Sequence, residues 1–379
     1  MEFIGGLPHY LISFLVILTV LVFVHELGHF WVARRCGVRV EVFSIGFGPE
    51  LFGFTDRRGT RWKFSALPLG GYVKMFGHTE TVTEPDGRER AMTLDEQQVA
   101  FHYKKLSQRA AVVVAGPLAN FLFAIVLLAG LFSLYGQPYS PAVIGGVVEG
   151  GAAEAAGMLP GDRILSVNGR AIERFEDVAN IVQLGLDEPL VVVIERGGEQ
   201  LTLSAQPTII EETDLLGNKH RIGRLGISSS APSEVMRYDP LTAVWQATKQ
   251  TYELSAGTLK AVGQMLTGTR SSEEIGGVLR IAQMSGEVTQ MGFASAVFFA
   301  AVLSINLGLI NLFPVPMLDG GHLAFYAFEA LRGRPLGARA QEWGFRIGLV
   351  LVLALFVFAT RNDLMSFPAV ARFIERLIT

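Results

Sequence analysis

The chain has 379 residues, of which half are hydrophobic and 18% charged, with a mean hydropathy of +0.37. Its net charge of −3 provides no global basic field, which argues against a nucleic-acid partner. Cys36 is the single cysteine, so an intrachain disulfide and a Cys-based zinc site are both excluded, and any metal must be held by His and carboxylates.

Four apolar segments reach the length of about 20 residues that a bilayer crossing needs. They run roughly over 7–32, 110–135, 294–313 and 343–360. The first lacks a basic leader and a small-residue cleavage site, so it reads as a retained span rather than a secretory signal. It carries His25-Glu26-Leu27-Gly28-His29 directly after an uncharged run from Leu11 to Val24. Ionisable groups are costly at membrane depth, which marks the cluster as functional. On a helix, His25 and His29 fall one turn apart on one face, where both imidazoles can bind one ion. Glu26 projects about 100° away, close enough to act as general base toward a water at that ion.

The segment 38–75 is rich in aromatic and β-branched residues around a polar turn at Thr55–Gly59, and predicts β-hairpins packed on the helices. Gly46-Phe47-Gly48 is only a weak phosphate-loop lookalike, since no helix with Lys-Ser/Thr follows. The polar stretch His78–Gln98 reads as a loop. Basic clusters follow the first span (Arg34, Arg35, Arg39), precede the second (Lys104, Lys105, Arg109) and separate the third from the fourth (Arg332, Arg334, Arg339, Arg346). With alternating spans all three fall on one side. The positive-inside rule makes that side cytoplasmic, with both termini and the stretch from about 136 to 292 facing outward.

Between about 141 and 206 the pattern is that of a small α/β domain, with strands expected over 143–148, 190–195 and 201–205 and a helix over 175–184. Gly157-Met158-Leu159-Pro160-Gly161-Asp162-Arg163-Ile164-Leu165-Ser166-Val167-Asn168-Gly169 resembles a PDZ signature, which implies a strand-edge groove for an extended peptide or a purely steric gate. Residues 241–266 predict an amphipathic helix that lies on the membrane surface or packs on the spans. The third span ends at Pro314 and Pro316, which free backbone groups near a cavity. Asp319, just beyond, is a carboxylate able to complete a three-ligand tetrahedral zinc site with one position left for water.

HExxH in the first span, the Asn311–Gly321 pattern NxxPxPxLDGG, the segments Phe43–Pro49 and Pro68–Met75 and the PDZ-like stretch together resemble bacterial site-2 proteases of the RseP type, over essentially the whole chain. The resemblance implies a polytopic α-helical membrane protein with four transmembrane helices, a membrane-associated β-hairpin region and an inserted α/β PDZ domain. The expected division is a first half of the protease core over 1–136, an extracytoplasmic PDZ domain over 137–208, an extracytoplasmic amphipathic region over 209–293 and a second half of the core over 294–379. It implies an intramembrane zinc metalloprotease of the bacterial inner membrane. Its substrates would be single-span membrane proteins, such as anti-sigma factors already shortened by another protease, or signal-peptide remnants. In that reading His25, His29 and Asp319 bind Zn2+, Glu26 is the base, and Asn306 and Asn311 hold the substrate strand. The chain departs from the family in showing one PDZ-like stretch where tandem pairs are common. A membrane-bound PDZ scaffold with a non-catalytic metal site is the alternative from another class. An ion transporter is a third, but it would show paired broken helices, and only the third span is broken.

Overall fold

The computed structural model describes residues 2–77, 81–83, 88–186, 188–213 and 219–366. It divides into two compact units, one built from Met1–Leu128 with Val278–Phe358, the other from Ala129–Gly277 with Ala359–Thr379.

The first unit opens with helix α1 (Glu2–Arg35), apolar on all sides, as suits a helix surrounded by lipid or by other helices. Its end is set by Gly37, whose φ of +70° lets Val38 N–H reach Ala33 O at 2.9 Å and Gly37 N–H reach Arg34 O at 3.1 Å. This Schellman closure satisfies carbonyls that would otherwise be stranded, and Arg34 and Arg35 sit favourably at the negative end of the helix dipole. Strands β1 (Val40–Thr55) and β2 (Arg61–Met75) follow. Their register is folded back on itself: Val42–Ile45 pairs with 71–74 on one side and with 61–64 on the other, while 52–55 also pairs with 61–64. Four short segments therefore lie side by side, and the 71–75 segment forms one outer edge. Phe43, fully buried, stacks on Trp62 at 4.3 Å, and Phe30 of α1 meets both rings edge-on at 5.5 and 5.0 Å. These aromatic contacts fix the sheet to α1 just beyond the HExxH turn.

The His78–Gln98 stretch is more ordered than its polarity suggests. His78–Glu80 and Glu84–Gly87 lie outside the described residues, but β3 (Thr81–Thr83) pairs with β4 (Glu89–Ala91) and α2 (Leu94–Val99) follows. The helix exists because Thr93 and Glu96 form a reciprocal capping box, a signal that overall polarity hides. Helix α3 (Leu106–Leu134) is the next long apolar element.

The second unit holds most of the remaining β structure: β5 (Gln137–Tyr139), β6 (Ile144–Val147), β7 (Arg163–Val167), β8 (Arg170–Ala171), β9 (Leu190–Arg196), β10 (Glu199–Ala205), β11 (Thr208–Thr213), β12 (Lys219–Arg224), β13 (Ile227–Ser229) and β14 (Glu234–Met236). A four-stranded sheet runs β10-β9-β7-β8, and β13 pairs with β6. The β9–β10 hairpin turns on Gly197-Gly198, both at positive φ, as a two-residue turn matched to strand twist requires. Helices α4 (Ala152–Ala155) and α5 (Phe175–Leu184) complete this body, whose core includes Ile144, Met158, Ile164, Val178 and Ile194. Helix α6 (Pro240–Thr267) starts at Asp239, whose carboxylate accepts from Leu241 and Thr242 N–H, and stops at the left-handed Gly268.

The chain then returns to the first unit with α7 (Val278–Gln290) along α1, α8 (Phe293–Leu312), α9 (Asp319–Arg332) and α10 (Ala338–Ser366), whose last turns, from Ala359, belong to the second unit. Among the described residues, four helices are long and apolar enough to cross a membrane, at Pro8–Arg35, Leu106–Leu134, Phe293–Leu312 and Arg339–Met365, where the sequence predicts spans.

Small residues let these helices approach. A Cβ on Gly28 of α1 would strike the Ala115 carbonyl of α3 and come within 2.8 Å of Ala119. Gly308 of α8 rests against the Pro117 carbonyl, and Ser304 Oγ donates to Asn120 O at 2.9 Å. In a bilayer such close packing, rather than water exclusion, holds helices together. Gly28→Leu should therefore lower the thermal midpoint of the detergent-purified protein, with an overpacking cost of about 1–3 kcal/mol. Gly130→Leu, at a helical glycine with nothing within 4 Å, should leave it unchanged.

Candidate metal centre

The α1–α3 contact brings polar groups together at a depth where few exist. His29 Nδ1 lies 2.8 Å from the Val112 carbonyl of α3. A carbonyl only accepts, so the His29 proton sits on Nδ1 and Nε2 keeps its lone pair. That Nε2 is 3.2 Å from His25 Nε2, and the two rings meet edge-on. Asp319 Oδ2 lies 3.2 Å from His25 Nε2 and 3.4 Å from His29 Nε2. The oxygen is buried and makes no well-formed hydrogen bond.

These separations fit one tetrahedral ion. With metal–N and metal–O bonds near 2.0–2.2 Å, the edge of a tetrahedron is about 3.3 Å, which all three pairs approach. The space is kept open by Gly116 of α3, where a Cβ would collide with His29 Nε2 and lie 2.9 Å from His25 Cε1. Two imidazoles and a carboxylate are also the donor set that zinc accepts. Among the described residues, His25, His29 and Asp319 form the grouping able to hold a metal ion.

Asp319 is delivered by a break in the chain. Phe313–Leu318 is not helical, because Pro314 and Pro316 cannot donate and their rings obstruct the preceding turn. Met317 is held at φ +96°, a conformation costly for a residue with a side chain, as is common where structure serves a site. Asp319 is the first residue of α9, with Leu318 as its cap, so its carboxylate is free to face the histidines. The next two residues must be glycine: a Cβ on Gly320 would meet the Leu312 and Phe313 carbonyls, and one on Gly321 would meet Val315 and Pro316. Arg109 of α3 braces α9 farther along the same cavity, pairing with Glu329 at 2.5 Å while its guanidinium lies over the Tyr326 ring.

The cluster opens on a cavity of about 610 Å³ lined also by Glu26, Tyr72, Val73, Asn311 and His322. Glu26 faces the Val73 backbone, and Gly71 is close enough that a Cβ there would touch Glu26 Cγ at 3.4 Å. The outer β segment thus runs past the carboxylate. Asn311 lines the cavity while its Nδ2 donates to Leu307 O at 3.0 Å. Asn306, also on α8, is half-buried and is not part of that lining.

Sequence reasoning picks out both motifs but passes over their frame. Gly116 and Asn120 belong to a span that reads as featurelessly apolar, and Arg109, just before it, is legible there only as part of a basic cluster. The available signals are Pro117, which removes an N–H from the middle of a helix, and Asn120, the lone amide side chain between Ala110 and Leu134.

The sequence pattern of peptidase family M50 matches residues 13–355. A relative from Agrobacterium fabrum named "Putative zinc metalloprotease" is 47% identical, over 96% of this chain and 97% of the relative. Another of the same designation from Rhizobium meliloti is 48% identical, over 95% of this chain and 98% of its own. Metalloprotease MmpA of Caulobacter vibrioides is 37% identical over 97% and 98% respectively.

If Gly116 keeps the metal space open, Gly116→Ala should weaken zinc binding about tenfold or more, measured by competition with a chelating dye on the purified protein. Gly130→Ala, where nothing would be touched, should bind zinc like the wild type.

Proposed function

The chain belongs to peptidase family M50, the site-2 protease family, and is a zinc metalloprotease; from that premise we propose that it cuts single-span membrane proteins within or beside their membrane segment. The observation that carries the reading is the three-donor cluster of His25, His29 and Asp319, set at a break between apolar helices and sharing one cavity with Glu26.

In this reading His25, His29 and Asp319 hold the zinc ion. Bound there, zinc supplies Lewis acidity, which polarises a scissile carbonyl and acidifies a water. Glu26, outside the donor set, accepts the water's proton and delivers it to the departing amine, so the peptide bond is replaced by a carboxylate and an amine. The Val73 backbone, which Glu26 faces, limits where the carboxylate can point during that transfer.

A substrate helix hides its amides in internal hydrogen bonds, so it must unwind before cleavage. The outer 71–75 segment of the folded-back sheet has one side free of strands among the described pairings, and an extended chain can add to it with alternate side chains facing the cavity. Asn311, at the cavity wall, can turn its amide from Leu307 O to the substrate backbone, with Asn306 assisting from the same helix.

The basic clusters at Arg34–Arg39, Lys104–Arg109 and Arg332–Arg346 favour a cytoplasmic position for the site end of the spans, in a bacterial inner membrane, with 137–293 outside. We assign the outer α/β body to the PDZ class. Its strand β13 pairs with β6 along one edge and leaves the other for an extended peptide, or for steric selection of substrates already shortened by another protease. Leu241, Trp245, Tyr252, Leu259 and Leu266 form one exposed apolar stripe on α6, suited to the membrane surface. Cleared substrates would include anti-sigma factors or signal-peptide remnants.

The test is cleavage of a tagged single-span substrate by the detergent-purified chain. Glu26→Gln should slow cleavage by about 10²–10⁴-fold while binding zinc as the wild type does. Cleavage by Glu26→Gln at the wild-type rate would refute the assignment of the base.

A further inference from the structure

We infer that Asn120 is a positioning residue for the zinc centre, its side-chain amide fixing which nitrogen of His25 faces the metal. The inference rests on the reading of His25 as a ligand. Asn120 lies on α3, fully buried, and its side-chain nitrogen is 3.2 Å from His25 Nδ1. Its Oδ1 is buried with no hydrogen-bond partner. An amide half satisfied inside an apolar helix costs stability, so packing alone gives no reason for an asparagine there.

The two histidines differ in how their outer nitrogens are held. His29 Nδ1 meets a backbone carbonyl, which fixes its proton and leaves Nε2 as a donor to metal. His25 Nδ1 meets an amide, which can present either an N–H or an oxygen. With Nδ2 donating, Nδ1 accepts, and the proton of the neutral ring sits on Nε2, toward Asp319 at 3.2 Å. Ligation through Nε2 requires the other tautomer, with the proton moved to Nδ1 and an acceptor facing it. A half-turn of the Asn120 amide presents Oδ1, the atom that lacks a partner. The ring stays neutral: it loses a proton at Nε2 and gains one at Nδ1. Ligating histidines generally donate their second N–H to an oxygen in this way, and loss of that oxygen weakens metal binding by about 10–100-fold.

The side chain can be tested without dismantling the helices, because the α3–α8 contact made by Ser304 Oγ uses the backbone carbonyl of Asn120. The experiment measures zinc affinity of the full chain in detergent by dye competition, together with the zinc-induced rise in Tm, for the wild type, Asn120→Leu, Asn120→Asp and His25→Ala. Asn120→Leu should bind zinc about 10–100-fold more weakly and show a reduced zinc-induced rise. Its Tm without added zinc should not fall. Asn120→Asp, which keeps an oxygen for Nδ1–H, should bind within a few-fold of the wild type. The inference is overturned if Asn120→Leu binds zinc as the wild type does, or if Asn120→Asp is as weak as Asn120→Leu. If His25→Ala retains full zinc affinity, the ligand assignment beneath it falls as well.

Discussion

Everything at the centre of this protein depends on one constraint: polar groups buried among apolar helices must satisfy one another. His29 finds the Val112 carbonyl, His25 finds Asn120, and both face Asp319. Such meetings need backbones closer than large side chains permit. Gly28 against Ala115, Gly116 beneath the imidazoles, and Gly320 and Gly321 in the proline-broken turn provide that approach. The small residues are thus as much a part of the centre as the donors they bring together.

The arrangement divides labour between rigid and adaptable parts. The donors sit on helices, or at the first residue of one, locked by close packing and by the Arg109–Glu329 pair at 2.5 Å. The surface proposed to receive substrate is the edge of a short, folded-back sheet, where main-chain hydrogen bonds can be made without regard to sequence. A hydrolase that accepts an unwound helix, as proposed for this protein, gains from that division. Precision is kept where bonds break, and tolerance where the chain is held.

Much of this is legible in the sequence, and the reason is membrane chemistry. His25-Glu26 and His29 stand out because charge is rare in an apolar run, and the four spans emerge from length and hydropathy alone. Asp319 is legible through the prolines before it. The supporting residues are not, because Gly116 and Ala115 become informative only when the partner helix is known. The folded-back register of 40–55 and 61–75 is hidden for a related reason: aromatic-rich runs report β structure without reporting which segments pair. The helix at Leu94–Val99 is hidden by its polar composition, which local capping by Thr93 and Glu96 overrides.

The central claim is that two imidazoles and one carboxylate hold the zinc ion. X-ray absorption at the zinc edge of the purified full chain tests it most directly. The account predicts a shell of nitrogen and oxygen at about 2.0–2.2 Å with the scattering signature of two imidazoles. A sulfur shell near 2.3 Å, or a spectrum with two imidazoles that persists in His29→Ala, would contradict it.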